Sequence, residues 1–166
     1  MQEDLPDLPP SDEKLRQRPS RARYDKAHLA LDRRWRRREL KADRMMREVA
    51  DVLWDSFGGH PYVWCGFFLL GEGGKSLTAG PCHRDEAVSA SSSLREACVS
   101  AAADGQPVIL ENPSRIIVPV LDKSGQVWAV WAAESEKPSA FDEMDQRWLE
   151  KILSHFQKIG AVDVGR

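Results

Sequence analysis

The chain has 166 residues, 42% hydrophobic and 30% charged, with a formal net charge of −2 and a mean hydropathy of −0.50. That length suits one domain with an appendage, and no apolar run approaches the roughly 18 residues that a membrane span needs. The start of the chain lacks the basic and apolar regions of a secretory signal, and three cysteines without a C-x-x-C pair (Cys65, Cys82, Cys98) argue against a disulfide framework or a structural zinc site and for a reducing, cytoplasmic compartment.

Charge is distributed unevenly. Residues 1–13 carry five acids and no base, residues 14–47 carry fourteen bases against four acids, and residues 48–166 carry ten bases against seventeen acids. With four prolines and almost no apolar content, residues 1–20 are expected to be a disordered acidic tip, because too little surface can be buried to offset the ordering entropy. Neither Pro nor Gly interrupts residues 21–57, where Leu31, Trp35, Ala42, Met46, Val49, Leu53 and Phe57 recur at three- and four-residue steps broken only by Arg38. The pattern predicts one long helix over 21–58, basic in its first half and stopped by Gly58-Gly59-His60-Pro61. Its apolar stripe gives a reason to expect a homodimer through this helix. The arginines Arg33, Arg34, Arg36, Arg37 and Arg38 could instead dock a partner or follow a phosphate backbone, although a charge run without a recognition motif more often marks a solvated face.

Beyond Pro61 the period changes. Tyr62 to Leu70 is an aromatic, apolar run that predicts a buried strand, Gly71 to Lys75 a turn, and Ser76 to Gly80 a short second strand. Residues 82–92 are polar and small, predicting a loop. Ser93-Leu94-Arg95-Glu96 predicts a capping box opening a helix that Gly105 ends. Strands are predicted at Pro107 to Leu110, Ile116 to Leu121 and Gln126 to Ala133. Asp142 is expected to cap a last helix with Trp148, Ile152, Phe156 and Ile159 inward. The fold class expected is α+β, an antiparallel sheet with terminal helices packed on one face.

Five segments in this order resemble a GAF domain, and more narrowly its free methionine-(R)-sulfoxide reductase subfamily. They are Trp64-Cys65-Gly66-Phe67-Phe68-Leu69, Gly80-Pro81, the Cys98 helix before Asp104-Gly105-Gln106, Ile116-Ile117-Val118-Pro119-Val120, and Phe141 to Gln146. The resemblance implies a GAF-like domain over 40–160, followed by a tail at 161–166. It also implies a site whose chemistry has been removed. The family's catalytic cysteine lies in a long loop before the Ile-Val-Val-Pro strand, and here that loop is Glu111-Asn112-Pro113-Ser114, without cysteine. A further family cysteine falls on Val88, so of three cysteine positions only Cys98 retains the residue. The family's carboxylates that hold the substrate's ammonium fall on Arg115, Ala132 and Glu134, its tyrosine falls on Phe68, and Trp64 is kept.

Residues two apart on a strand share a face, so Trp64, Gly66 and Phe68 face together, as do Trp128, Val130, Ala132 and Glu134. A pocket would be lined by Trp64, Phe68, Arg115, Val130, Ala132 and Glu134 and would take an anionic small molecule. The alternative is that Arg115 pairs with Glu134 and the aromatics fill the space. Three functions are thus weighed: a non-catalytic small-molecule-sensing or interaction module without a cofactor, a thiol-dependent reductase or redox sensor using Cys98 and Cys82, and nucleic-acid or partner docking through the arginine helix. Cys65 reads as a small core residue, and the histidines form no cluster with metal-ligand spacing.

Overall fold

The computed structural model describes residues 21–36, 39–59, 61–84 and 91–159. The expected disordered tip, the tail, Arg37, Arg38 and Val88 lie outside the described residues. Helices α1 (Arg21–Trp35) and α2 (Ala42–Phe57) precede strands β1 (Tyr62–Leu70) and β2 (Leu77–Arg84). Helix α3 (Ser92–Asp104), strands β3 (Val108–Glu111), β4 (Ser114–Leu121) and β5 (Val127–Ser135), and helix α4 (Glu143–Leu153) complete the chain. The strands form one antiparallel sheet in the order β2-β1-β5-β4-β3. The predicted α+β class is what the structure shows.

The sheet is covered on both sides. On one face lie α1, α2, α4 and the 3-10 turn Ser154–Lys158, burying Leu31, Met46, Leu53, Phe67, Trp131 and Phe156 with their neighbours. On the other lies α3, whose Leu94, Cys98 and Ala101 meet Trp64, Phe68, Ile117, Val130 and Ala132. Strand pairing alone explains this division, since alternate residues of β1 and β5 feed opposite cores.

The predicted single helix is corrected: one helix ends at Trp35 and a second begins at Ala42. Arg23 donates to the Ser56 carbonyl, and Trp35 Nε1 donates to Glu48 Oε1 at 3.2 Å. The start of α1 therefore meets the end of α2, and the two run antiparallel. Lys41 is extended (φ −119°, ψ 131°) and begins the second helix without a side-chain cap. A straight helix would leave the apolar side of its first half in water, whereas folding back buries Tyr24, Ala27, Leu31 and Trp35. The stripe that gave a reason for a homodimer (Leu31, Trp35, Met46, Val49, Leu53) is thus buried within its own chain.

Three local expectations shift as well. Ser91, not Ser93, caps α3 by accepting from the Leu94 amide, and Gly105 closes that helix in the left-handed region at φ 66°. Strand β2 runs on to Arg84, so Cys82 and His83 are strand residues rather than loop residues. Trp128 is the extra residue of a β-bulge, because Val120 pairs with Ala129 while Leu121 pairs with Val127. The bulge turns Trp128 onto the helical side, where its ring lies 5.6 Å from that of Phe156. Asp142 does cap α4, in a capping box with Asp145.

Two polar clusters fasten α1. Tyr24 Oη donates to Asp145 Oδ1 at 2.8 Å and lies 3.0 Å from Tyr62 Oη. Burial raises the Asp145 carboxyl to about 7, against the hydrogen bonds from Asp142 and Tyr24 that lower it. Nearer the middle of α1, the Nε2 atoms of His28 and His155 lie 3.1 Å apart, and Lys158 Nζ donates to His155 Nδ1 at 3.2 Å. Burial and the Lys158 charge lower His155 to about 4. Burial and the Lys151 charge lower His28.

Packing of α1 predicts that Trp35→Ala lowers the chain's unfolding free energy by about 3–5 kcal/mol. Leu29→Ala, at a position 46% exposed, should change it by less than about 0.5 kcal/mol. Urea melts measure both, and equal effects would mean that α1 is not docked. The pH dependence has a defined sign. His155 stabilises fully above its unfolded value of 6.5, and this contribution is lost as pH falls from 6.5 through about 4. Asp145 acts in the opposite sense: its contribution is complete below 3.8 and is lost as pH rises through about 7. The melting temperature of the wild type should therefore fall relative to His155→Gln between pH 6.5 and 4. Between pH 4 and 7 it should fall relative to Asp145→Asn as pH rises.

Candidate functional site

The site is built on the face covered by α3. The β1–β5 register sets Trp64 opposite Glu134, Gly66 opposite Ala132 and Phe68 opposite Val130. The β4–β5 register sets Arg115 opposite Glu134 and Ile117 opposite Ala132. Five of the six predicted lining residues are wholly or almost wholly buried: Trp64, Phe68, Val130 and Ala132 at 0% exposure and Arg115 at 7%. The rings of Trp64 and Phe68 are 5.8 Å apart and tilted by 30°. The sequence faces are therefore correct, except for Trp128.

Register explains the polar edge of this cluster. Residues directly opposite on neighbouring strands bring their side chains together, so Arg115 and Glu134 must meet. Arg115 Nε donates to Glu134 Oε1 at 2.7 Å, and Arg115 Nη1 donates to Ser93 Oγ at 3.0 Å. The pairing reading holds for these two side chains. The guanidinium is fixed by one partner on β5 and one at the start of α3. On the other side of Glu134, the Trp64 Nε1 on β1 is buried and has no hydrogen-bond partner among the described residues. The Nε1 atoms of Trp128 and Trp131 are also unpartnered, but they lie in the helical core.

From the sequence, Ser93, Leu94 and Arg95 read only as part of a helix cap, and Ala101 has no role at the site. Leu94, Cys98 and Ala101 recur at i, i+4 and i+7, a helical stripe that marks a buried side. Nothing local marks Ser93 as the partner of Arg115. Arg95 places its guanidinium 5.1 Å over the Phe68 ring and donates from Nη1 to the Leu77 carbonyl at 3.0 Å.

Two of the three thiols are buried. Cys98 is fully buried, and burial pushes its thiol up to about 12 against the opposing Arg115 and Arg95 charges. Cys65 is buried in the helical core, and burial raises its thiol well above the usual value too. Cys82 is half-buried against the Trp64 cluster. It lies opposite Gly66, where a Cβ would come within 2.3 Å of the Cys82 Cβ, so only glycine fits. His83, its neighbour, turns to the other face: its ring stacks on Trp54 at 5.6 Å and its Nε2 is 2.7 Å from Asp51 Oδ1. Cys82 and His83 thus form no pair.

The basic run is partly engaged. Arg36 pairs with Asp32 at 2.8 Å and Arg34 approaches Glu48 at 3.9 Å, while Arg33 is exposed. Among the described residues no group of three or more His, Cys, Asp or Glu could hold a metal ion. No helix among them is long and apolar enough to cross a membrane.

No curated protein matches this sequence. Solved structures do. One is a GAF domain with 14% identity and a TM-score of 0.71, covering 92% of this chain and 93% of that one. The free methionine-R-sulfoxide reductase from Neisseria meningitidis, in complex with its substrate, is 20% identical with a TM-score of 0.63 and 91% of each chain covered. The GAF domain of an Acinetobacter phosphoenolpyruvate-protein phosphotransferase is 14% identical with a TM-score of 0.62, covering 84% of this chain and 93% of that one. Identities this low establish the fold alone. The GAF domain family model, however, matches residues 39–158, the stretch that carries the whole sheet with α2, α3 and α4. The chain belongs to the GAF domain family.

Proposed function

We propose that this chain is a non-catalytic small-molecule-sensing or interaction module, related to the free methionine-(R)-sulfoxide reductases and working in the reducing cytoplasm. The observation that carries the reading is Arg115. Its guanidinium is anchored by Glu134 and Ser93 at the edge of an aromatic cluster. In the resembled enzymes that position is a carboxylate that holds a substrate's ammonium. A guanidinium there reverses the favoured charge of a ligand group. The unpartnered Trp64 Nε1 adds a donor that calls for an acceptor oxygen. A ligand bearing a carboxylate or another acceptor-rich group suits both.

The reductase reading has no comparable support. Sulfoxide reduction needs a thiolate to attack sulfur and a second thiol to resolve the intermediate. With its thiol near 12, Cys98 carries roughly one part in ten thousand of thiolate at pH 8. A homodimer, if one forms, must use a surface other than the buried α1–α2 stripe.

Titrating the chain with small carboxylates and their amine isosteres, followed by tryptophan emission, tests the ligand. Carboxylates should bind and amines should not. Trp64→Phe removes the indole donor while keeping an aromatic ring, and Arg115→Lys keeps charge while losing the fork; each should weaken binding by about tenfold, roughly 1.4 kcal/mol. Equal affinity for the amines would refute the reading. In a second assay, the folded chain with dithiothreitol should leave methionine-(R)-sulfoxide unconsumed, and Cys98→Ser should change nothing. In the folded protein at pH 8, iodoacetamide should modify Cys82 well before Cys98. Turnover that disappears in Cys98→Ser would establish the enzyme instead.

A further inference from the structure

Beside the aromatic cluster lies a groove of about 510 Å³, within the size range of small-molecule sites. Lys75 and Leu77, at the start of β2, line one side of it, and Arg95, Glu96 and Val99 of α3 line the other. Arg95 and Val99 are four residues apart and so share a side of α3, next to the buried stripe of Leu94, Cys98 and Ala101. Two lining residues also belong to the cluster. Leu77 packs against it from outside. Arg95 holds its guanidinium 5.1 Å over the Phe68 ring and donates from Nη1 to the Leu77 carbonyl at 3.0 Å. The groove and the cluster therefore share a wall, and the Arg95 side chain is part of it.

Charge is graded along this wall. Lys75 is exposed, Arg95 is half-buried and Arg115 is buried. The last two are close: Arg115 bonds Ser93, two residues before Arg95, and both guanidinium charges act on the Cys98 thiol. We propose that the groove between β2 and α3 is the entrance to the aromatic cluster and that Arg95 is its gate, a role that rests on reading the cluster as a carboxylate site. Lying on Phe68 and the Leu77 carbonyl, the guanidinium closes the way in. A ligand carboxylate arriving at Lys75 draws it off and opens the way.

The competition favours opening by an anion. The Leu77 carbonyl offers the guanidinium one neutral oxygen, whereas a carboxylate offers two oxygens and a full charge. A change of rotamer moves so long a side chain without moving the backbone. The entrance also selects by charge, because Lys75 and Arg95 outnumber Glu96 around the groove and repel an amine before it reaches Glu134. Leu77 and Val99 give the ligand its second requirement: an apolar body, alkyl or aryl, that lies along them while Arg95 is displaced. The ligand class is thus a carboxylate carrying an apolar group.

Indole protons of the full chain report the gate without any ligand. Trp64 Nε1 and Trp131 Nε1 are both buried without a partner among the described residues, the first in the α3 core and the second in the helical core. Opening the entrance exposes the first alone, whereas loss of stability exposes both. Arg95→Ala should speed hydrogen–deuterium exchange of the Trp64 indole by about tenfold and leave Trp131 unchanged. Val99→Trp, which fills the groove, should bring the Trp64 rate of the Arg95→Ala chain back towards that of the wild type. Arg147→Ala, at an exposed position on α4, should change neither. In the wild type, phenylpropionate should slow Trp64 exchange and phenylpropylamine should not, and Lys75→Glu should weaken phenylpropionate binding by about tenfold. An unchanged Trp64 rate in Arg95→Ala, an equal rise at both indoles, or a rate that Val99→Trp fails to lower overturns the gate. A rise at Trp64 alone, together with equal affinity for the carboxylate and the amine, overturns the carboxylate reading and upholds the entrance.

Discussion

Strands β1 and β5 lie side by side in the sheet, and each is covered on both faces. Their side chains alternate between two cores: Phe67, Trp131 and Ala133 meet the helical layer, while Phe68, Val130 and Ala132 meet α3. This pairing is the constraint on which the other contacts rest. It requires helices on both sides, and it fixes which residues can face a ligand. It also sets the polar edge, because the register of β5 against β4 brings a cation and an anion together.

The two cores differ in kind. The helical core is large and aromatic, and it is fastened at the α1 end by titratable groups. The α3 core is small, and its polar edge is the Arg115–Glu134–Ser93 contact. A buried ion pair is weak evidence for stability, because desolvating both charges offsets much of their attraction. Its effect here is positional: the guanidinium is held in one orientation by Glu134 and Ser93.

Helix α1 changes the surface of the domain more than it changes its fold. By folding back along α2 it buries an apolar stripe that would otherwise face solvent, and it carries its cations outward. Asp145, His28 and His155 beneath it make the docking of α1 sensitive to pH from both sides. The carboxyl favours its neutral form, as do both imidazoles, and these forms predominate in opposite directions of pH.

The sequence by itself determined where elements lie and which side of each is apolar. The Asp142 cap, the strand runs and the shared face of Trp64, Phe68, Val130 and Ala132 were legible because period and capping are local properties. What covers an apolar side is not local. The same stripe from Leu31 to Phe57 is compatible with one helix seeking a partner or with two helices folded on each other, and only the available core chose between them. Trp128 has the parity of Val130 yet faces the opposite core, because one bulge in the β4–β5 ladder inverts a strand's alternation. Arg115 opposite Glu134 was one of two open readings until the register was known. Ser93, too far away in sequence to be linked to either, became their neighbour only when α3 settled on the sheet.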